Sequence, residues 1–370
     1  MHGVLAWRYG KRNASRLKSL LPTQGSFMKF VAAALIIALA GFPCTPRAQQ
    51  ITGAGATFPA PLYAAWGKAA EAAIGVKLNY QAFSSGTGSS QVLNRTVDFG
   101  ASDEPINPER LESGNLLQFP TVTGAIVVVV NIPGVEPNQL KLTGEIIADI
   151  YLGKIIRWND TRIVEINPNL RLPNLAVVPI FRAGSSGTNF VFTSYLSTVD
   201  PAWSQRVGFG TSVKWPAGSG TRGNSGVVLT VSRVSGAVGY LQSAFAARSH
   251  LATAELRNKA GKFVEPSRDS FSAATASADW RSAPNFGVNL IDQGGDRTWP
   301  IVAATFVLLP KDPRDPTSSA NVIKLFDWAY AHGGAMAEEM EYSPVPVEVQ
   351  DAVRQAWRIE VKGPAGKPVF

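Results

Sequence analysis

The chain has 370 residues, is 45% apolar and carries a formal charge of +8. That length supports a large core, divided between two domains. The charge excludes less than its size suggests: residues 1–48 hold seven Lys or Arg and no Asp or Glu, which leaves 28 basic against 27 acidic residues in the rest. The excess therefore gives no support for a nucleic-acid surface, and a bound anion must be held by local donors rather than by an overall field.

The chain opens with an export pattern. Met28-Lys29 precedes an apolar run over 30–42, and small and turn residues follow up to Ala48-Gln49-Gln50. The run is too short for a membrane span. Residues 1–48 are expected to be a leader, with translation starting at Met28 and cleavage after Ala48; Ala40 is the weaker alternative. The single cysteine, Cys44, follows Gly41-Phe42-Pro43. The small residue that should directly precede a lipidated cysteine is missing, which argues against a lipid anchor. Cleavage after Ala48 leaves a cysteine-free chain, suited to an oxidising compartment and without a thiol nucleophile or a Cys-based metal site.

Residues 51–61, Ile51-Thr52-Gly53-Ala54-Gly55-Ala56-Thr57-Phe58-Pro59-Ala60-Pro61, read as a buried strand turning on glycine into a helix. Such a turn brings backbone close to a ligand, and a helix start offers N–H groups to an anion; a ligand-free turn has the same pattern. Leu62, Tyr63, Trp66, Ala69, Ala70 and Ala73 continue at helical spacing until Gly75. Residues 76–80 alternate as a half-buried strand. Ser84-Ser85-Gly86-Thr87-Gly88-Ser89-Ser90 then leads into a short helix at Gln91-Val92-Leu93, as a second anion cradle or an exposed loop. Residues 97–103 form a short strand ending at Asp103, a place shared with helix caps and surface groups.

The run 125–130, Ala-Ile followed by four Val, predicts a central strand buried on both faces. A helix is expected over 140–149 and a turn at 158–160. The strand 175–180 delivers Phe181-Arg182-Ala183-Gly184-Ser185-Ser186-Gly187-Thr188-Asn189-Phe190 into a helix carrying Phe192, Tyr195 and Leu196. A guanidinium with Ser/Thr hydroxyls and helix N–H groups suits a tetrahedral oxyanion; an ion-pair role for Arg182 fits the same residues. Residues 210–226 read as a loop, 235–240 as a helix end and strand start, and 251–258 and 269–279 as short helices. A crossover over 290–301, a strand over 305–309, a linker over 310–316 and helices over 320–331 and 347–357 complete the pattern. The alternation suggests α/β units with ligand loops at the carboxyl ends of strands. Separate lobes would hold a small ligand between them, with Thr57 and Ser84 from one and Arg182 to Thr188 from the other.

Several of these words, in this order, resemble the periplasmic phosphate-binding protein of the bacterial high-affinity phosphate ABC importer. They are residues 52–61, Ser84-Ser85-Gly86, residues 96–103, Phe119-Pro120-Thr121, Asn131-Ile132-Pro133-Gly134, Arg182 with residues 186–190, and Gly236-Ala237-Val238-Gly239-Tyr240. The resemblance implies an α/β, two-lobed periplasmic binding protein fold, class II-like, with the ligand in the interlobe cleft. Lobe I would hold 49–123 and 300–370, and lobe II 124–299. The implied phosphate ligands are Thr57 through backbone N–H and hydroxyl, Phe58 through backbone N–H, Ser84, Asp103, Arg182, Ser186, Gly187 and Thr188. It also implies inorganic phosphate and an inner-membrane ABC permease as partners, a periplasmic location, a monomer, and neither catalysis, cofactor nor metal.

Two departures stand out. The family carries an Asp two positions after the arginine, where this chain has Gly184, and the segment between Ser84 and Asp103 is about one residue longer, which makes Ser85 an alternative ligand. For Asp103, the ligand that the resemblance implies, physical chemistry suggests a role. A buried carboxylate repels a bare anion, yet it can accept a hydrogen bond from the P–OH of phosphate, which sulfate lacks. A secreted phosphate-ester hydrolase and a surface protein on the same fold are the competing readings. For the former, the three histidines, His2, His250 and His332, form no dependable catalytic set, and neither a Gly-x-Ser-x-Gly elbow with triad partners nor a full phosphate-loop pattern is present.

Overall fold

Capping residues and glycines set the element boundaries in the computed structural model, which describes residues 49–370; the leader, Met28, Cys44 and the cleavage positions lie outside the described residues. Strand β1 (Gln49–Gly55) runs into helix α1 (Ala60–Ile74), with a proline in the first turn. Gly75 ends the helix in the left-handed region, its N–H donating to the Glu71 carbonyl. Strand β2 (Val76–Ala82), helix α2 (Ser85–Leu93) and strand β3 (Phe99–Ser102) follow. The stretch read as a turn over 84–90 is thus already helical. Ser84 caps it by accepting the Thr87 N–H at 3.2 Å, and packing against β1 outweighs the poor helix propensity of its glycines.

The long strand β4 (Leu116–Val130) is buried throughout. Helix α3 (Gly144–Tyr151), strand β5 (Val178–Arg182) and helix α4 (Gly187–Val199) come next. Then come strand β6 (Ser219–Thr221), helix α5 (Gly223–Arg233), strand β7 (Ala237–Gln242), strand β8 (Val302–Pro310) and helices α6 (Pro316–His332) and α7 (Val347–Glu360). Two expectations are corrected. The 210–226 segment is not all loop, because it contains β6 and the first turn of α5. Residues 251–258 are not helical: Ala252–Thr253 and Glu255–Arg257 pair as short strands with β4 and with Lys141–Leu142. Ala254 and Leu256 are both fully buried, a period of two rather than of a helix.

The main sheet runs β2-β1-β3-β8-β4-β7-β5-β6. The β1/β2, β1/β3, β5/β7 and β5/β6 pairs are parallel, whereas β8 is antiparallel to both β3 and β4. Strands β4 and β8 therefore occupy the middle of the sheet and link its two sides. Their ladder runs from Val302 opposite Ala125 to Pro310 opposite Leu116, with a register shift between Thr305 and Phe306. On one side of this seam Phe326 of α6 packs edge-on to Tyr63, Phe99 and Phe119 at 5.4–5.8 Å. On the other, Tyr240 stacks on Phe192 at 3.8 Å and meets Tyr151 edge-on at 5.9 Å. These packed sides fix the carboxyl ends of β1, β3 and β5, where the loops face one another.

Candidate functional site

The turn after β1 is held by its carbonyls. Tyr80 donates its hydroxyl to the Ala56 carbonyl at 2.7 Å and Tyr342 to the Phe58 carbonyl at 2.6 Å, while the Ala56 N–H donates to Ala101. No protein acceptor meets the N–H groups of Thr57 and Phe58 among the described residues. The Phe58 ring is buried edge-on to Tyr342. The turn thus has a fixed backbone with two donors to spare, as an anion site requires.

Arg182 ends β5 with only 2% of its surface exposed. Its backbone N–H donates to the Tyr240 hydroxyl, and its carbonyl accepts from Asn189 at 2.6 Å. The guanidinium donates from Nη1 to Thr188 Oγ1 (3.2 Å) and Asn224 Oδ1 (3.3 Å), and from Nη2 to Thr57 Oγ1 (3.4 Å). Every one of these partners is uncharged, and Nε is buried without a partner among the described residues. Burial pulls the Arg182 pKa below its ordinary value, against the weaker pull of Tyr240 and Asp103. A guanidinium in this state remains charged, so the site holds a desolvated cation in need of an anion.

Gly184 sits at φ 83°, with open space around the position of a Cβ. Asn224 takes up part of what an acidic neighbour there would do. It is fully buried in the first turn of α5, accepts from Arg182 and donates from Nδ2 to Thr57 Oγ1 at 3.3 Å. It holds the guanidinium without neutralising it.

Asp103 follows β3 and is 3% exposed. Burial pushes its pKa up to about 7, against a hydrogen bond from Thr305 and the charge of Arg182. Its Oδ1 accepts from Thr305 Oγ1 at 2.7 Å. Its backbone N–H donates to Ser85 Oγ at 3.2 Å, and the same oxygen accepts the Gly187 N–H at 3.1 Å. The Gly86 N–H donates to the Ser185 carbonyl at 3.2 Å. These contacts join the loops from the two sides of the sheet.

The structure therefore brings Thr57, Arg182 and Thr188 into one hydrogen-bonded group, with Asp103 and Gly187 in a second group around Ser85. Ser84 and Ser85 have different surroundings: Ser84 caps α2 and lines a surface cleft of about 1370 Å³ with Thr57, Arg182, Gly184 and Asn224, while Ser85 is buried behind it. Asp103 lines a separate cavity of about 380 Å³. Ser186 caps α4 by accepting the Asn189 N–H at 3.4 Å, and its own N–H donates to the Thr211 carbonyl.

Residues 42–331 match the PBP superfamily domain. The chain is 46% identical to phosphate-binding protein PstS of Pasteurella multocida over 336 residues, 91% of this chain and 98% of that protein. It is 45% identical to PstS of Haemophilus influenzae over 85% of this chain and 95% of that one. The chain belongs to the PstS family. Among solved structures it is similar to a high-affinity periplasmic phosphate-binding protein, PfluDING, with a TM-score of 0.69 at 21% identity over 84% of this chain and 94% of that one. The phosphate-binding protein from Stenotrophomonas maltophilia aligns at a TM-score of 0.63 and 20% identity, over 84% and 94% of the two chains. These distant likenesses share the periplasmic-binding-protein fold. In this chain Asn224 holds Arg182 and Thr305 supports Asp103. Sequence reading missed both residues. Asn224 stands in Arg222-Gly223-Asn224-Ser225-Gly226 ahead of Val227, a fourth instance of the Gly/Ser-into-helix pattern that would have disclosed it. Thr305 leaves no such signal, because it is one more β-branched residue in an apolar strand.

Proposed function

We propose that this protein binds inorganic phosphate with high affinity in the periplasm and delivers it to the inner-membrane permease of an ABC importer. The ligand lies in a cleft between lobe I, residues 49–123 and 300–370, and lobe II, residues 124–299, in a class II-like arrangement. One observation carries the reading: Arg182 is a buried cation whose side-chain partners are all neutral, and it donates both to Thr57 after β1 and to Thr188 in α4. Phosphate supplies the missing charge and enough acceptor oxygens for the N–H groups of Thr57, Phe58 and Thr188 and for the hydroxyls of Thr57, Ser84, Ser186 and Thr188. Gly187 adds its backbone donor once the anion displaces Ser85. Ser84, which lines the cleft, is the serine ligand of this reading, and Ser85, whose hydroxyl meets the Gly187 and Asp103 N–H groups, is the alternative. Asp103 accepts the ligand's proton and so excludes sulfate. The test is equilibrium titration of the purified chain with phosphate and with sulfate from about pH 5 to about pH 8. Tight phosphate binding and weak sulfate binding at neutral pH are expected; no phosphate binding would sink the reading.

A further inference from the structure

We propose that Thr305, which needs no contact with the ion, is a specificity-determining positioning residue: its hydroxyl keeps Asp103 a proton acceptor. The inference rests on the phosphate reading above. Geometry sets the relation. Strand β8 pairs with β3 so that Phe306 lies opposite Ser102, which places Thr305 beside Asp103. The Thr305 hydroxyl donates to Asp103 Oδ1 at 2.7 Å, and both residues are buried. Thr305 is itself held, since its carbonyl accepts from Thr121 Oγ1 at 3.1 Å and Thr121 shares a 2.6 Å hydrogen bond with Tyr63. A hydroxyl donating to one carboxylate oxygen has two effects. It favours the ionised form, and it directs any further acceptance to the other oxygen.

The balance is close because other groups pull in both directions. Burial is the largest influence on Asp103 and favours the neutral acid, whereas Arg182 favours the carboxylate. The phenols of Tyr63, Tyr80 and Tyr342 feel the charge of the same carboxyl and stay protonated, since burial holds each of them far above its usual value. Thr305 is thus the one neutral side chain that donates to Asp103 among the described residues. Without it Asp103 stays protonated to higher pH, and a protonated Asp103 donates to an anion oxygen, which suits sulfate as well as phosphate.

The decisive measurement is the pH dependence of sulfate competition against phosphate for the wild-type chain, Thr305→Val and Thr305→Ser. Sulfate does not titrate over this range; phosphate does, but identically for all three chains, so the difference between their midpoints reports the protein. In the wild type, competition is expected to fade as pH rises through about 7. In Thr305→Val the midpoint should move to higher pH, with the phosphate-over-sulfate ratio at neutral pH reduced by about tenfold, the scale of one hydrogen bond to a charged group. Thr305→Ser keeps the hydroxyl and should restore the wild-type midpoint. A purely structural role for Thr305 would weaken both anions together and leave the midpoint fixed, which overturns the proposal. A wild-type chain that fails to bind phosphate fails the underlying reading instead, and is recognised before any variant is compared.

Discussion

Asp103 makes the energetic character of the site measurable without ligand. Its carboxyl titrates near 7 in the folded chain, because burial disfavours the charge, and near 4 in an unfolded one. The folded state therefore binds the extra proton between about pH 4 and about pH 7, and by linkage stability falls as pH rises through that window. Asp103→Asn removes the titration. In phosphate-free protein the melting temperature of Asp103→Asn relative to wild type should thus be more favourable at about pH 8 than at about pH 5. A difference that is flat with pH, or reversed, would show that Asp103 is not held as described. The same variant carries no charge to repel a bare anion and offers it an N–H donor, so its preference for phosphate over sulfate should narrow.

At the scale of elements, the loops at the strand ends depend on close approach of helix to sheet. A Cβ on Gly88 would lie 2.5 Å from the Ala54 carbonyl oxygen and 2.6 Å from Gly55 Cα, both backbone atoms of β1. Gly88→Val should displace α2 and lower stability by about 1–3 kcal/mol, the usual cost of overpacking, read as a lower urea midpoint; an unchanged midpoint would mean that α2 does not press on β1. This contact also explains what was legible in the sequence. The central strand at 125–130 and the helix from Ala60 follow from an apolar run, periodicity and punctuation, which are local signals; the reach of that strand back to Leu116 does not. The first turns of α2, ahead of Gln91, were hidden because glycine and serine argue against a helix, and only the backbone of β1, thirty residues away in sequence, reverses that preference. The short strands at 252–257 were misread for a related reason: their pairing partners at 129–130 and 141–142 lie outside any local window. Of the site, Thr57, Arg182 and Asp103 stood in recognisable words, whereas Asn224 and Thr305 owe their roles to neighbours brought in by the sheet.

At the scale of the whole molecule, the loops of the two sides meet at Gly187. A Cβ there would come within 2.3 Å of Ser85 Oγ and 2.7 Å of Asp103 Cβ. Gly187→Ala should therefore keep the sides apart, weaken phosphate binding by about tenfold or more, and leave the protein with a larger radius of gyration in saturating phosphate than the wild type. X-ray scattering that finds equal radii would remove Gly187 as a contact needed for closure. The pairing of β8 with β3 has a separate consequence. Asp103 directly follows β3 and Thr305 lies on β8, the strand paired with it, whereas Arg182 ends β5 on the other side of the seam. On the proposal above, position 305 then acts on preference without removing a group that touches the ion. A designer who wants a receptor for a different oxyanion can retune position 305 inside the sheet and leave untouched every group proposed to touch the ion.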